Sequence, residues 1–202
     1  MSGRRTAHGL AKFTAVAAVG ADRAAHGLTE LLGHEVVLDA TGVHFGGSSR
    51  LFELVGGPGV TVVGVYLRMG GRITGHVMLL FELEQARSMV DQLLELEAGT
   101  TEELDDLAYS ALGEVGNITA AAFLNELGNA VDIDMRLSPP TVMEEMAGAL
   151  LDSVLAEIAY LGGETLILET VFIQAGTQIR GFILIAPDPD SLSILMDHLA
   201  AA

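Results

Sequence analysis

The sequence predicts an α+β domain, an antiparallel sheet with flanking helices built from two related halves. Three observations carry this reading. VYLRMGGRITGHVMLLF, starting at Val65, matches VFIQAGTQIRGFILIAP, starting at Val171, without a gap. Val65 falls on Val171, Tyr66 on Phe172, Gly70 on Gly176, Ile73 on Ile179 and Gly75 on Gly181. In both stretches apolar residues alternate around a Gly turn, which is the pattern of a β-hairpin, and hairpin-linked strands pair antiparallel. Helix-period apolar runs precede and follow each hairpin, so helices are available to cover sheet faces.

Taken in order, residues 15–32 read as a helix and residues 35–38 as a short strand. Residues 46–54 read as a helical connection, and residues 65–81 as the first hairpin. At the repeat offset Met89-Val90-Asp91 falls on Leu195-Met196-Asp197, so an amphipathic helix closes each half. The stretch 97–103 is rich in Gly, Thr and Glu and reads as a linker. Thr100 or Thr101 is its candidate N-cap for the next helix, with acidic residues in that helix's first turn. Residues 105–127 read as a long helix, residues 142–159 as a second helical connection, and residues 171–186 as the second hairpin. The division is one domain over 1–202, with repeats at about 10–96 and 103–202.

The helix over 105–127 carries the chemistry. Leu104, Leu107, Ala111, Val115, Ile118 and Ala122 have the spacing of one buried stripe. Ser110, Glu114 and Asn117 lie off that stripe at intervals of four and three residues, so they share a neighbouring face. A carboxylate can pair with a cation, and a carboxamide can hold a water by donating and accepting hydrogen bonds. Neither is a nucleophile, so the row suggests positioning rather than covalent attack. Pro139-Pro140 removes two backbone donors and bars helix at Ser138, so a stiff turn there separates a strand-like segment from the following helix.

Composition narrows the classes. Of 202 residues, 27 are acidic and 10 basic, a formal charge of −17, which disfavours nucleic acid and anionic membrane as partners. There is no Cys, hence no disulfide framework and no thiolate chemistry, which fits a cytoplasmic location. No apolar run reaches membrane-spanning length. Arg4 and Arg5 before the apolar stretch 13–21 resemble a signal peptide only faintly; that stretch is short, Ala-rich and used by the repeat as a helix. His8, His26, His34, His44, His76 and His198 show no metal-ligand spacing, so no metal site is expected. The Gly56-Gly57-Pro58-Gly59 stretch lacks the Lys-Ser/Thr of a phosphate loop, and Met143 and Met146 read as core or adaptable contacts.

Ser110, Glu114 and Asn117, followed by Pro139 after twenty-one intervening residues, resemble the signature of the CheC/CheX/FliY phosphatases of bacterial chemotaxis. That signature is Asp or Ser, three residues, Glu, two residues, Asn, twenty-one residues, Pro. The wording EVGN, and SPP before MAGALLD, is also similar to CheC. The resemblance implies a CheC-like fold and hydrolysis of the aspartyl phosphate on the response regulator CheY. In that implied role Asn117 orients the attacking water and Glu114 pairs with a regulator Lys. Ser110 sits at the edge of the contact and Pro139 supports the motif. It also implies that the chain needs no cofactor of its own, with Mg²⁺ and the Lys supplied by the regulator.

CheC carries a Glu/Asn pair in each half, and here the first half departs from that pattern. The matching positions are Ala15 and Ala18, or Val19 and Asp22 in the alternative register, and the position matching Pro139 is Ala40 or His44. One active face is therefore expected. The resemblance leaves two other roles open, a non-catalytic FliM-like module of the flagellar switch and a regulator that binds the deamidase CheD. The sequence ends without a FliN-like segment, so a FliY-type fusion is not expected. The internal repeat supplies the symmetry that CheX obtains by pairing subunits, so a monomer is expected.

Overall fold

The computed structural model describes residues 3–46, 52–152, 165–174 and 176–201. The elements in chain order are α1 (Gly3–Leu32), β1 (Val36–Gly46), β2 (Thr61–Gly71), β3 (Gly75–Glu82), α2 (Leu83–Leu93) and α3 (Asp106–Val131). They continue with β4 (Met135–Leu137), β5 (Thr141–Met146), β6 (Thr165–Gln174), β7 (Thr177–Pro187) and α4 (Pro189–Ala201). The seven strands form one antiparallel sheet in the order β1-β6-β7-β3-β2-β4, with β5 also pairing with β2.

This order is palindromic, and the two repeated hairpins meet at its centre. Met78 pairs with Leu184, its own counterpart at the repeat offset, so the pseudo-twofold axis passes between β3 and β7 at that pair. Each outer edge is interrupted midway. β1 shifts register between Ala40 and Gly42, and Ser138–Pro140 separates β4 from β5. The repeat is in step along β3 and β7 but slips along β2 and β6. Leu79 pairs with Val65, whereas its counterpart Ile185 pairs with Leu166 rather than Val171. The reason is turn length. The first hairpin closes on the pair Met69 and Gly75, the second on Gln174 and Thr177.

Alternation splits the sheet between two cores. Val63, Val65, Leu67 and Met69 of β2, with Val77, Leu79 and Phe81 of β3, face the helices. Val62, Met78 and Leu80 point the other way, against Val55, Ala147, Leu150 and Leu151. α3 is therefore enclosed on two sides, by α1 and by the sheet. Arg23 of α1 reaches Glu126 of α3 at 3.4 Å.

Several boundaries differ from the sequence reading. α1 begins at Gly3, well before residue 15, and the first strand runs to Gly46 rather than stopping at residue 38. The helical connection expected over 46–54 therefore starts inside a strand; residues 52–54 are helical, and 47–51 lie outside the described residues. The helix expected over 142–159 begins as strand β5. Its residues pair with β2 from Thr61–Met146 to Tyr66–Thr141, and helix is present only over 147–152 of the described residues. Edge pairing with β2 outweighs the helical propensity of a stretch containing Met and Glu. Pro139-Pro140 consequently interrupts a sheet edge, where absent backbone donors are tolerated, instead of ending a strand before a helix.

The N-cap of α3 is Asp105, not Thr100 or Thr101; its carboxylate accepts from the Ala108 N–H at 2.9 Å. Thr101 serves a different purpose. Buried Asp91 of α2 accepts hydrogen bonds from the Thr101 hydroxyl (2.6 Å), the Thr101 N–H (2.9 Å) and the Gly99 N–H (2.7 Å). Burial pushes this carboxyl up, but the hydrogen bonds outweigh burial and hold it below the ordinary 3.8. Asp91 thus fastens the linker that leads into α3.

A carboxyl depressed in the folded state stabilises above its unfolded pKa, and that stability is lost as the pH falls through the folded value. Asp91→Asn is expected to cost about 1.5–3 kcal/mol at neutral pH. The gap to wild type should narrow once the pH drops below 3.8. Denaturant melts of both proteins from neutral to acid pH test this, and a pH-independent gap would refute the charge-based account.

Candidate functional site on helix α3

α3 buries Ala108, Leu112, Val115, Thr119 and Phe123, together with Gly113, Gly116 and Ala120. This corrects the expected stripe. Val115 is buried as expected, but Leu104, Ala111, Ile118 and Ala122 are only half-buried, and Leu107 is 60% exposed. A helix covered on two sides carries apolar residues around most of its circumference, so two stripes one residue apart both have helical spacing. Ile118 faces α1, where a Cβ built on Gly27 would lie 2.9 Å from its methyl group.

Ser110 and Glu114 are exposed and Asn117 is half-buried, and the three share one face of α3. Among the described residues, none hydrogen-bonds the side chains of Ser110, Glu114 or Asn117. The carboxylate and carboxamide are thus available to an outside group. Leu107 extends this row by one turn, since 107, 110, 114 and 117 are spaced by three, four and three residues.

Two glycines that the sequence reading passed over set the height of this row above the sheet. A Cβ at Gly116 would fall 2.4 Å from Cγ1 of Val65, so only Gly allows α3 to lie this close to β2. At Gly113 the nearest atoms to a Cβ are Val142 and Pro140, at 3.5 and 3.7 Å. The segment after β4 therefore packs directly beneath the turn that carries Glu114. Ser138 anchors it: its N–H donates to the Arg68 carbonyl at 2.9 Å, and its Oγ accepts from the Arg68 N–H at 2.9 Å. The Ser138 hydroxyl also donates to the Pro139 carbonyl at 2.9 Å. Pro139 itself is exposed at the rim. A Gly-x-x-Gly spacing, with Gly113 just before Glu114 and Gly116 just before Asn117, was the available signal for this close approach.

Beside Ser110, Tyr109 donates to Oε2 of Glu144 at 3.4 Å. Burial and the Glu144 carboxylate raise the Tyr109 hydroxyl above its ordinary 10.0. Ala15, Ala18, Val19 and Asp22 of α1 are all exposed, and they supply no Glu/Asn pair in either register. Ala40 and His44, the alternatives for the position of Pro139, both lie within β1. Among the described residues no group of three or more His, Asp or Glu could hold a metal ion, and no helix is long and apolar enough to cross a membrane.

The fold is that of the FliY and FliM middle domains. Thermotoga maritima FliY superposes with a TM-score of 0.78 at 16% identity, covering 100% of this chain and 98% of that one. The Helicobacter pylori FliM middle domain gives 0.68 at 14% identity, covering 98% and 99%. A family model described as chemotaxis phosphatase CheX matches residues 63–158, which include most of β2, the whole of α3 and the Ser138–Pro140 break. The chain is similar to the CheY-P phosphatase CheC of Bacillus subtilis, at 28% identity over 91% of this chain and 90% of that protein. It is also similar to the CheY-P phosphatase CheX of Thermotoga maritima, at 40% identity over 42% of this chain and 50% of that protein. The chain is thus similar to proteins of the CheC-like family.

Gly116→Ala is expected to lower stability by about 1–3 kcal/mol, because the added methyl overlaps Val65 in a packed core. Gly113→Ala should be neutral or stabilising by up to about 1 kcal/mol, since the space is open enough and Ala favours helix. Thermal and denaturant melts should place Gly113→Ala at or above wild type and Gly116→Ala below it, and parallel losses would show that α3 does not sit at this distance from β2.

Proposed function

We propose that the chain hydrolyses the aspartyl phosphate of a CheY-type response regulator, using one active face formed by Glu114 and Asn117. The observation that carries this is the pair itself: a carboxylate and a carboxamide without hydrogen-bond partners among the described residues, on one helix face, above the Ser138–Pro140 turn that Ser138 anchors. The names of the curated relatives, both CheY-P phosphatases, support the substrate class.

An aspartyl phosphate is a mixed anhydride. Its hydrolysis requires a water in line with the bond to the carboxyl oxygen, and catalysis is largely positioning and charge stabilisation. Asn117 accepts a hydrogen bond from that water through its carboxamide oxygen. The water oxygen bonds to phosphorus, the bond from phosphorus to the carboxylate oxygen breaks, and the water's proton leaves with inorganic phosphate. Glu114 pairs with a cationic side chain of the regulator and fixes the approach of α3. Ser110, one turn upstream, lies at the contact edge. Mg²⁺ held by the regulator would neutralise phosphoryl charge.

The alternative is a non-catalytic module like the FliM middle domain, with which the chain shares its fold. The intact Glu/Asn pair favours catalysis.

Asn117→Ala should cost less than about 1 kcal/mol of stability, as a side chain outside the core. It should remove at least about 2 kcal/mol of transition-state stabilisation, about thirtyfold in rate. Glu114→Ala should chiefly weaken binding of the regulator, with an effect that shrinks at high salt. Decay of the phosphorylated regulator, followed alongside melts of each variant, tests both. Equal decay with wild type and Asn117→Ala would favour the non-catalytic module.

A further inference from the structure

We infer that Leu107 is an apolar anchor for the response regulator, and that the regulator surface it enters is rimmed by lysine or arginine. This inference rests on the proposed function, because it assigns the same helix face one further turn.

Leu107 lies in line with Ser110, Glu114 and Asn117 and is 60% exposed, in a helix whose other large apolar residues are buried or half-buried. Large apolar side chains left in water at the end of a polar functional row mark a contact surface, and a few such anchors dominate interface energies. Among the described residues nothing covers it. The N-cap is made by Asp105, and the neighbouring Ala108 supplies the buried contact of that turn.

Charge identifies the occupant. Arg136 is the one Lys, Arg or His between Ser88 and Ile179 in the sequence, and it pairs with Asp134 at 3.1 Å. The exposed ionisable groups flanking Leu107 in the sequence, Glu103 and Asp106, are carboxylates, as are Glu114 along the row and Glu144 on the adjoining edge strand, which accepts from Tyr109. A partner surface of like charge is repelled from this face, and a cationic one is steered to it. An apolar pocket with a basic rim, beside the aspartyl phosphate, matches a leucine surrounded by carboxylates. A regulator lacking that rim is a poorer substrate even when its phosphoryl site is the same.

The test uses the full-length protein and a chemotaxis response regulator from the same organism, held in its active form with beryllofluoride and Mg²⁺ for binding and phosphorylated for turnover. Leu107→Ala should weaken binding by at least about fivefold. KM should rise by a similar factor with kcat within about twofold, and the melting midpoint should stay unchanged. Leu107→Met should restore binding. The wild-type Kd should weaken steeply with salt, and Leu107→Ala should keep the same salt slope. Equal Kd values for wild type and Leu107→Ala, or no binding by wild type, overturn the anchor. A salt-independent Kd overturns the basic rim. If wild type binds through Leu107 but leaves phosphoryl decay unchanged, the phosphatase reading falls and the anchor stands.

Discussion

The close contact between α3 and β2 at Gly116 and Val65 governs the rest of the structure. A helix normally stands away from a sheet by the length of its side chains. Here the missing Cβ lets α3 drop onto β2, where even a methyl group would lie 2.4 Å from Val65. That contact fixes both the height and the rotation of the helix. With Gly116 turned to the sheet, residues 110, 114 and 117 turn outward, and Ile118 meets α1. The polar row is held as firmly as the core beneath it, which positioning chemistry demands.

The second fixed point is the break in the sheet edge. β4 and β5 would form one strand but for Ser138–Pro140, and Ser138 keeps the two pieces in line by bonding both backbone groups of Arg68. Two prolines on a central strand would cost ladder bonds, whereas at the edge beside the site they cost little and stiffen the rim. β1 lies at the opposite edge, where the break is a register shift next to Gly42. The α1 face in that half presents alanines. One framework therefore carries a furnished face and a bare one.

Much of this was legible in the sequence. The repeat announced both hairpins, and the positions that pair across the axis, Met78 and Leu184, are counterparts in it. The outward placement of Ser110 and Glu114 followed from helical spacing. What failed had specific causes. The stripe through Leu107 was off by one position because α3 is covered on two sides, so its apolar residues do not define a single face. β5 reads as helix because TVMEEM contains good helix formers, and only its pairing with β2 makes it a strand. The ungapped hairpin match hid a slip in β2 against β6, since turn length does not show in side-chain identity. The N-cap was placed on a threonine whose hydroxyl is committed to Asp91.

The palindromic sheet has a consequence for how the chain comes off the ribosome. β1 lies at one edge and its only neighbour among the described strands is β6; β3 lies near the centre and needs β7. Both partners belong to the last part of the chain. When synthesis has passed α2, the first half holds one paired hairpin and an orphan strand, with α1 denied the α3 surface it covers in the finished protein. Neither half can mature by itself, so a duplication that looks modular in sequence produces a molecule that folds only as a whole, late, and through contacts of long sequence separation.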